Sequence, residues 1–235
     1  ILSIANGVQK QASKFGSPGL PTYGYDVKLI DESTGEALAG ANQKGVVVIE
    51  GPLPPGCMQT VWRDDARFVN TYWKSIPGKL VYNTFDWGVR DEDGYFFILG
   101  RTDDVINVAG HRLGTREIEE SITSHPSVAE VAVVGVADAL KGQVAMAFAV
   151  LKDPSQTPDE ASRLKLEGDI MALVDKQLGA VARPARVRFV STLPKTRSGK
   201  MLRRAMQAVC EGRDPGDLTT MEDPAALEQI KQLVV

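Results

Sequence analysis

The apolar pattern changes character near residue 100, and this change constrains the fold more than any other feature of the chain. Before it, residues 23–30 alternate Tyr, Tyr, Val and Leu with Gly, Asp and Lys, the period of a half-buried strand. Residues 46–49 form a short β-branched run, and residues 80–84 and 95–99 are two further candidate strands. Thr34-Gly35, the stretch 51–56, Pro77-Gly78 and Asp93-Gly94 punctuate these runs as turns. Short strands at such spacing predict a β-rich subdomain shaped as a small distorted barrel.

After the change the pattern alternates helix and strand. Glu117, Glu119 and Glu120 crowd the first turn of a helix expected from Thr115, where carboxylates suit the helix dipole. Apolar runs at 128–136 and 144–151 have the length of buried strands. Leu166, Ile170, Leu173, Val174 and Leu178 share one helical face. Residues 187–190 read as another strand, and Leu202, Ala205, Met206 and Val209 as another helical face. Asp223-Pro224 is a cap followed by proline at the first helical position, and residues 153–160 form an exposed polar loop. The fold class is therefore α+β. A β-rich unit spans 1–101, a hinge 102–104, and an α+β domain with a small sheet flanked by helices 105–235.

Composition excludes several classes. Hydrophobic residues make up 43% and charged residues 24%, enough to bury a core. The formal net charge of −3 lacks the basic excess of a nucleic-acid binder. Cys57 and Cys210 give neither a disulfide framework nor metal-ligand spacing, so two reduced thiols and no metal are expected. No apolar run reaches the ~20 residues that span a bilayer, and residues 1–11 lack a secretory layout. A cytoplasmic location is expected from the reduced thiols, and the lack of an initiator Met makes a fragment the expectation.

Three segments could carry chemistry. Asn-Thr-Phe-Asp-Trp-Gly at 83–88 precedes Asp-Glu-Asp-Gly-Tyr at 91–95. A carboxylate such as Asp86 at a strand end can accept hydrogen bonds from vicinal hydroxyls, as in ribose binding. The alternative is an acidic hairpin with an Asp-Gly turn. Gly-Arg-Thr-Asp-Asp-Val-Ile-Asn-Val-Ala-Gly-His-Arg at 100–112 sets Arg101 and Arg112 around paired acids. Guanidinium forks suit phosphate and ribose oxygens, and Gly110 would let a ligand approach the backbone; the alternative is a solvated linker. Leu-Pro-Lys-Thr-Arg-Ser-Gly-Lys at 193–200 is not a P-loop, because no glycine stands five residues before Gly199. It reads as a flexible basic loop bringing Lys200 to the start of a helix, where a lysine can meet an anion. The alternative is a solvated basic face; no aromatic residue interleaves it as nucleic-acid binding would favour.

In this order and spacing the three segments resemble the adenylate-forming superfamily, in particular its short-chain acyl-CoA synthetases. Gly-Pro-Leu-Pro-Pro-Gly-Cys at 51–57, Thr-Phe-Asp-Trp-Gly at 84–88 and Cys-Glu-Gly-Arg-Asp-Pro-Gly-Asp at 210–217 are similar to propionate–CoA ligases. The resemblance covers essentially the whole chain. It implies an ATP-dependent ligase that makes an acyl-adenylate and then a CoA thioester, with propionate, ATP and CoA as substrates and Mg2+ accompanying ATP. It implies Lys200 as the adenylation lysine, Asp86 and Arg101 on the ribose or phosphate, and Arg112 on ATP phosphate. It implies Asp103 as the hinge of a mobile domain, and Ala109 and Gly110 on the face that completes the CoA tunnel. It further implies reversible acylation of Lys200 by an acyltransferase and deacylase.

Two departures qualify the resemblance. The family's phosphate-binding glycine/serine-rich loop is absent, as are the Thr-Glu segment and most of the acyl pocket, so this fragment alone is not expected to adenylate. Where acetate-activating relatives place a CoA-binding arginine this chain has Asp175, which shifts the expected contact to Lys176 or Arg183. The competing readings are an acetate–CoA ligase and a noncatalytic module that docks an acidic partner on the basic segment 195–204.

Overall fold

The computed structural model describes residues 1–3, 11–157 and 159–234. Residue 158, within the expected polar loop, lies outside them. The chain divides into two compact units, Ile1–Asp103 and Asp104–Val235.

In the first unit, the two-residue strands β1 (Leu2–Ser3) and β2 (Leu20–Pro21) pair with each other. The main sheet comprises β3 (Asp26–Ile30), β4 (Lys44–Glu50), β5 (Val81–Arg90) and β6 (Phe96–Arg101). These four pair antiparallel in sequence order. All four expected strands are therefore present. They form an open meander, and among the described residues no pairing of β3 with β6 closes the barrel that was expected. β4 is buried on both faces: Val46 and Val48 pack with Ile30, Ile76 and Val81, while Val47 packs with Val27, Leu29 and Phe96. The β reading missed one helical segment, α1 (Asp65–Phe68), which continues as a π turn through Val69–Trp73. Its local cause is Asp64, whose carboxylate accepts the Arg67 N–H at 2.9 Å as an N-cap.

The second unit is a three-layer α/β/α sandwich. β10 (Gly142–Leu151) is central, with β9 (Val128–Asp138) antiparallel to it and β11 (Arg186–Phe189) parallel to it. A hairpin of β7 (Val105–Val108) and β8 (His111–Gly114) joins β10 where Val108 pairs with Gly142. Helices α2 (Thr115–Thr123) and α3 (Glu160–Leu178) cover one face over Val131, Val133, Ala147 and Ala149. Helices α4 (Arg203–Cys210) and α5 (Pro224–Val234) cover the other over Ala132, Val134, Met146 and Phe148. Burial on both faces explains why β9 and β10 read as continuous apolar runs.

Asp159, at the end of the stretch read as a loop, forms a capping box with Ser162 on α3, and at the expected cap Asp223 accepts the Ala225 N–H at 2.9 Å ahead of Pro224. Among the described residues no helix is long and apolar enough to cross a membrane.

Carboxylates from the helices close the outer edges of this sheet. On β9, Glu119 of α2 accepts the Val133 N–H at 2.8 Å and Glu211 accepts the Ala137 N–H at 3.0 Å. On β11, Glu167 of α3, only 7% exposed, accepts the Val187 N–H at 2.8 Å. Phe148 is fully buried at the middle of β10. Its replacement by alanine is expected to lower the stability of the second unit by ~3–5 kcal/mol, read as an earlier midpoint in urea unfolding of the chain.

Candidate functional site

The first cluster lies at an irregularity of the first sheet. Opposite the adjacent Val47 and Val48, β5 pairs through Asp86 and Asn83, so Thr84 and Phe85 bulge out. Phe85 takes a left-handed φ of 61°. Asn83 Oδ1 accepts the Phe85 N–H at 2.8 Å. Thr84 Oγ1 donates to the Val47 carbonyl at 2.7 Å and accepts the Asp86 N–H at 3.1 Å. A bulge of this kind re-aims the next side chain, here Asp86.

Arg101, paired across from Asp86 in β6, gathers the cluster. Its Nη1 donates to the Thr84 carbonyl at 2.9 Å and lies 3.4 Å from Asp86 Oδ1, and its Nε meets Asp103 Oδ1 at 3.2 Å. Its guanidinium also stands over the Phe85 ring, 5.6 Å from the centroid. Asp86, Arg101 and Asp103 are thus one contact group, although Asp86 and Arg101 are fifteen residues apart. Each keeps part of its surface open, with side chains 32%, 46% and 37% exposed.

The second cluster is the β7–β8 turn. Ala109 and Gly110 both have positive φ, 49° and 84°, the requirement of a two-residue hairpin turn of the primed type. A Cβ on Gly110 would meet nothing within 4 Å, so the glycine is demanded by backbone conformation and open space lies beside it. The Ala109 N–H donates to the Lys141 carbonyl at 2.8 Å, setting the Lys141 backbone beside the turn. A cleft of about 180 Å3 there is walled in part by Ala109, Lys141, Val181 and Arg183. Arg183 Nη1 lies 3.4 Å from Asp175. Lys176 is exposed on the last turn of α3, and Arg112 is exposed on β8 opposite Asn107.

The third cluster corrects the expectation of a flexible loop at Lys200, which ends a tight hairpin. The Thr196 N–H donates to the Lys200 carbonyl at 2.8 Å, the Lys200 N–H donates to Thr196 Oγ1 at 3.0 Å, and Lys195 bridges Met201. Gly199 supplies the left-handed turn at φ 81°. A third segment braces the hairpin: Arg197 N–H donates to the Thr220 carbonyl and Glu222 N–H to the Lys195 carbonyl. The helix begins at Arg203, not at Lys200. Lys200 itself is exposed.

The basic run is not a uniform charged face. Lys195 pairs with Glu130 at 2.5 Å. Arg203 forks onto Glu119, with Nη2 at 2.8 Å from each carboxylate oxygen, and reaches to 3.9 Å from Asp104. Glu119, read from sequence as a dipole-complementing acid, is instead turned to the sheet edge. Burial pushes its carboxyl pKa up, while Arg203 and the Val133 N–H oppose that shift. Sequence reasoning missed Thr84, Thr196, Lys141 and the Glu119–Arg203 pair. Only Thr196, four residues before Lys200 with Gly199 between, left a local trace as a hairpin signature. Among the described residues no three His, Cys, Asp or Glu side chains group as a metal site.

Residues 117–200 match the family model of the AMP-binding enzyme C-terminal domain. Over 232 residues, 99% of the chain, the sequence is 66% identical to the propionate–CoA ligase of Escherichia coli (strain K12), and it spans 37% of that protein's length. It is 44% identical over 232 residues to the acetyl-coenzyme A synthetase of Pyrobaculum arsenaticum, spanning 33% of it. The solved structure of ATP-bound MatB from Rhodopseudomonas palustris superposes with a TM-score of 0.66 at 26% identity, covering 94% of this chain and 37% of that one. Residues 117–200 are thus similar to the C-terminal domain of AMP-binding enzymes, and the chain as a whole spans about a third of the length of the ligases it matches.

Proposed function

We propose that the gene product carrying this chain is an AMP-forming acyl-CoA ligase that converts propionate to its CoA thioester. The observation that carries this reading is the 66% identity to a propionate–CoA ligase along 99% of the chain. The 44% identity to an acetyl-coenzyme A synthetase favours propionate over acetate. In the first half-reaction a carboxylate oxygen attacks the α-phosphorus of ATP. The bond to the bridging oxygen breaks and pyrophosphate leaves. In the second, the CoA sulfur attacks the acyl carbonyl, AMP leaves with the electron pair, and the thiol proton is released.

Within this scheme Lys200 meets the charge that builds on the α-phosphate and carboxylate oxygens, from the end of a hairpin that fixes its backbone. Asp86 accepts hydrogen bonds from the ribose hydroxyls, Arg101 lies beside it, and Arg112 contacts ATP phosphate. Asp103, at the boundary of the two units, is the hinge about which the second unit changes orientation between half-reactions. The Ala109–Gly110 turn then receives the CoA arm. Lys141 and Arg183, which wall the same cleft, suit the CoA phosphates better than Lys176, which is not among the residues lining it. Magnesium would accompany the ATP phosphates. Among the described residues no three His, Cys, Asp or Glu side chains group to hold it, so the ATP phosphates would supply much of its coordination. The same reading takes the protein to act in the cytoplasm, and exposed Lys200 is its position for acylation by a lysine acyltransferase, which would remove the charge the first step uses.

The decisive assay uses the intact gene product. Lys200→Ala is expected to lower propionate-dependent exchange of pyrophosphate into ATP by ~100-fold or more. Thioester formation from supplied propionyl-adenylate and CoA is expected to stay near wild type. Equal loss in both would count against two orientations, and a wild type inert with every short acid would sink the ligase reading. Asp86→Ala is expected to raise the KM for ATP about tenfold in the exchange assay.

A further inference from the structure

The Lys200 hairpin is moored at both ends to one strand. On its incoming leg, Lys195 pairs with Glu130 of β9 at 2.5 Å. On its outgoing leg, Arg203 opens α4 three residues after Lys200 and forks onto Glu119, whose Oε1 also accepts the β9 Val133 N–H at 2.8 Å.

The two moorings differ in strength. Lys195 and Glu130 are 29% and 40% exposed, a setting in which an ion pair contributes little. Arg203 and Glu119 are 26% and 13% exposed. Arg203 donates from Nε to Oε1 at 3.2 Å and from Nη2 to both oxygens at 2.8 Å, a charge-assisted fork that fixes direction as well as distance. Arg203 also approaches Asp104, the first residue of the second unit, at 3.9 Å. Glu119 therefore joins the edge of the sheet, the start of the helix behind Lys200 and the residue next to the unit boundary.

We propose that Glu119, through Arg203, is a positioning residue for Lys200: it sets the aim of the lysine hairpin and is needed for acyl-adenylate formation but not for thioester formation. The inference rests on the ligase reading above. Glu119 touches no reacting atom. It acts by fixing where α4 begins, and a misplacement of about 1 Å at the lysine is enough to cost on the order of a hundredfold in rate.

The test compares wild type with Glu119→Gln, Arg203→Lys, the double variant Glu119→Met/Arg203→Met, and Lys200→Ala as control, all in the intact gene product. The double variant guards against simple unfolding, because an apolar pair of similar size leaves no charge buried without its partner. Both half-reactions and the thermal midpoint are measured. Glu119→Gln and the double variant are expected to lose pyrophosphate exchange at least about tenfold while thioester formation from supplied adenylate stays within about twofold. Arg203→Lys, which keeps the charge but not the fork, is expected to fall between them and wild type. Proportional loss of both half-reactions would mark the pair as merely structural and overturn the proposal, as would unchanged exchange in the double variant. If exchange survives in Lys200→Ala, the ligase reading of Lys200 fails and this inference fails with it. If Lys200→Ala abolishes exchange but the Glu119 variants keep it, only the positioning role is lost.

Discussion

The second unit depends on carboxylates that close the open edges of its sheet. A strand edge presents backbone N–H groups that are costly to leave unpaired once helices exclude water. Glu119 meets that need at Val133 of β9 and Glu167 at Val187 of β11, while Glu211 adds an acceptor at the exposed Ala137. A charged acceptor strengthens each bond, and each also ties a neighbouring element to a fixed point on the sheet. Through Arg203, Glu119 extends this anchoring to the helix that follows Lys200. The cost shows in the desolvation that pushes the Glu119 carboxyl pKa upward.

Two of the places assigned to ligands, Asp86 and the Ala109–Gly110 turn, stand where the backbone departs from regularity. Phe85 and Ala109 are not glycines, yet both sit in the left-handed region, at φ 61° and 49°. Such conformations cost free energy and persist when their surroundings hold them. For Phe85 the surroundings are the Asn83 acceptor and the Thr84 hydroxyl anchored on Val47; for Ala109 they are the strands of its hairpin and the Lys141 carbonyl. The departures aim Asp86 in one unit and expose a backbone turn beside Lys141 in the other.

Charge pairing also separates the competing roles of the basic segment. A module docking an acidic partner would use residues 195–204 as one cationic surface. Here Lys195 and Arg203 are engaged by Glu130 and Glu119 within their own unit. Arg197, Lys200 and Arg204 stay exposed, and of these Lys200 stands at the end of a braced hairpin, where it can meet one anionic centre as a point charge.

Much of this was legible in the sequence. Apolar runs bounded by turn residues located β3 to β6 and β9 to β11. Helical spacing located α3 and α4, and Asp223-Pro224 announced α5. These signals are local, since periodicity and capping act within a few residues. The short motifs around Asp86, Arg101, Asp103, Gly110 and Lys200 were also visible as contiguous segments, which marked these residues as candidates. What only the tertiary structure decided are contacts between residues far apart in the chain. They include the open meander in place of a barrel, the bulge that joins Asp86 to Arg101, and the pairing of Glu119 with Arg203 across eighty-four positions. No local pattern encodes them, because a carboxylate on a helix reads the same in sequence whether it faces water, a helix dipole or the edge of a strand. Which of these it faces is settled when packing of the two apolar faces of the sheet brings that edge within its reach.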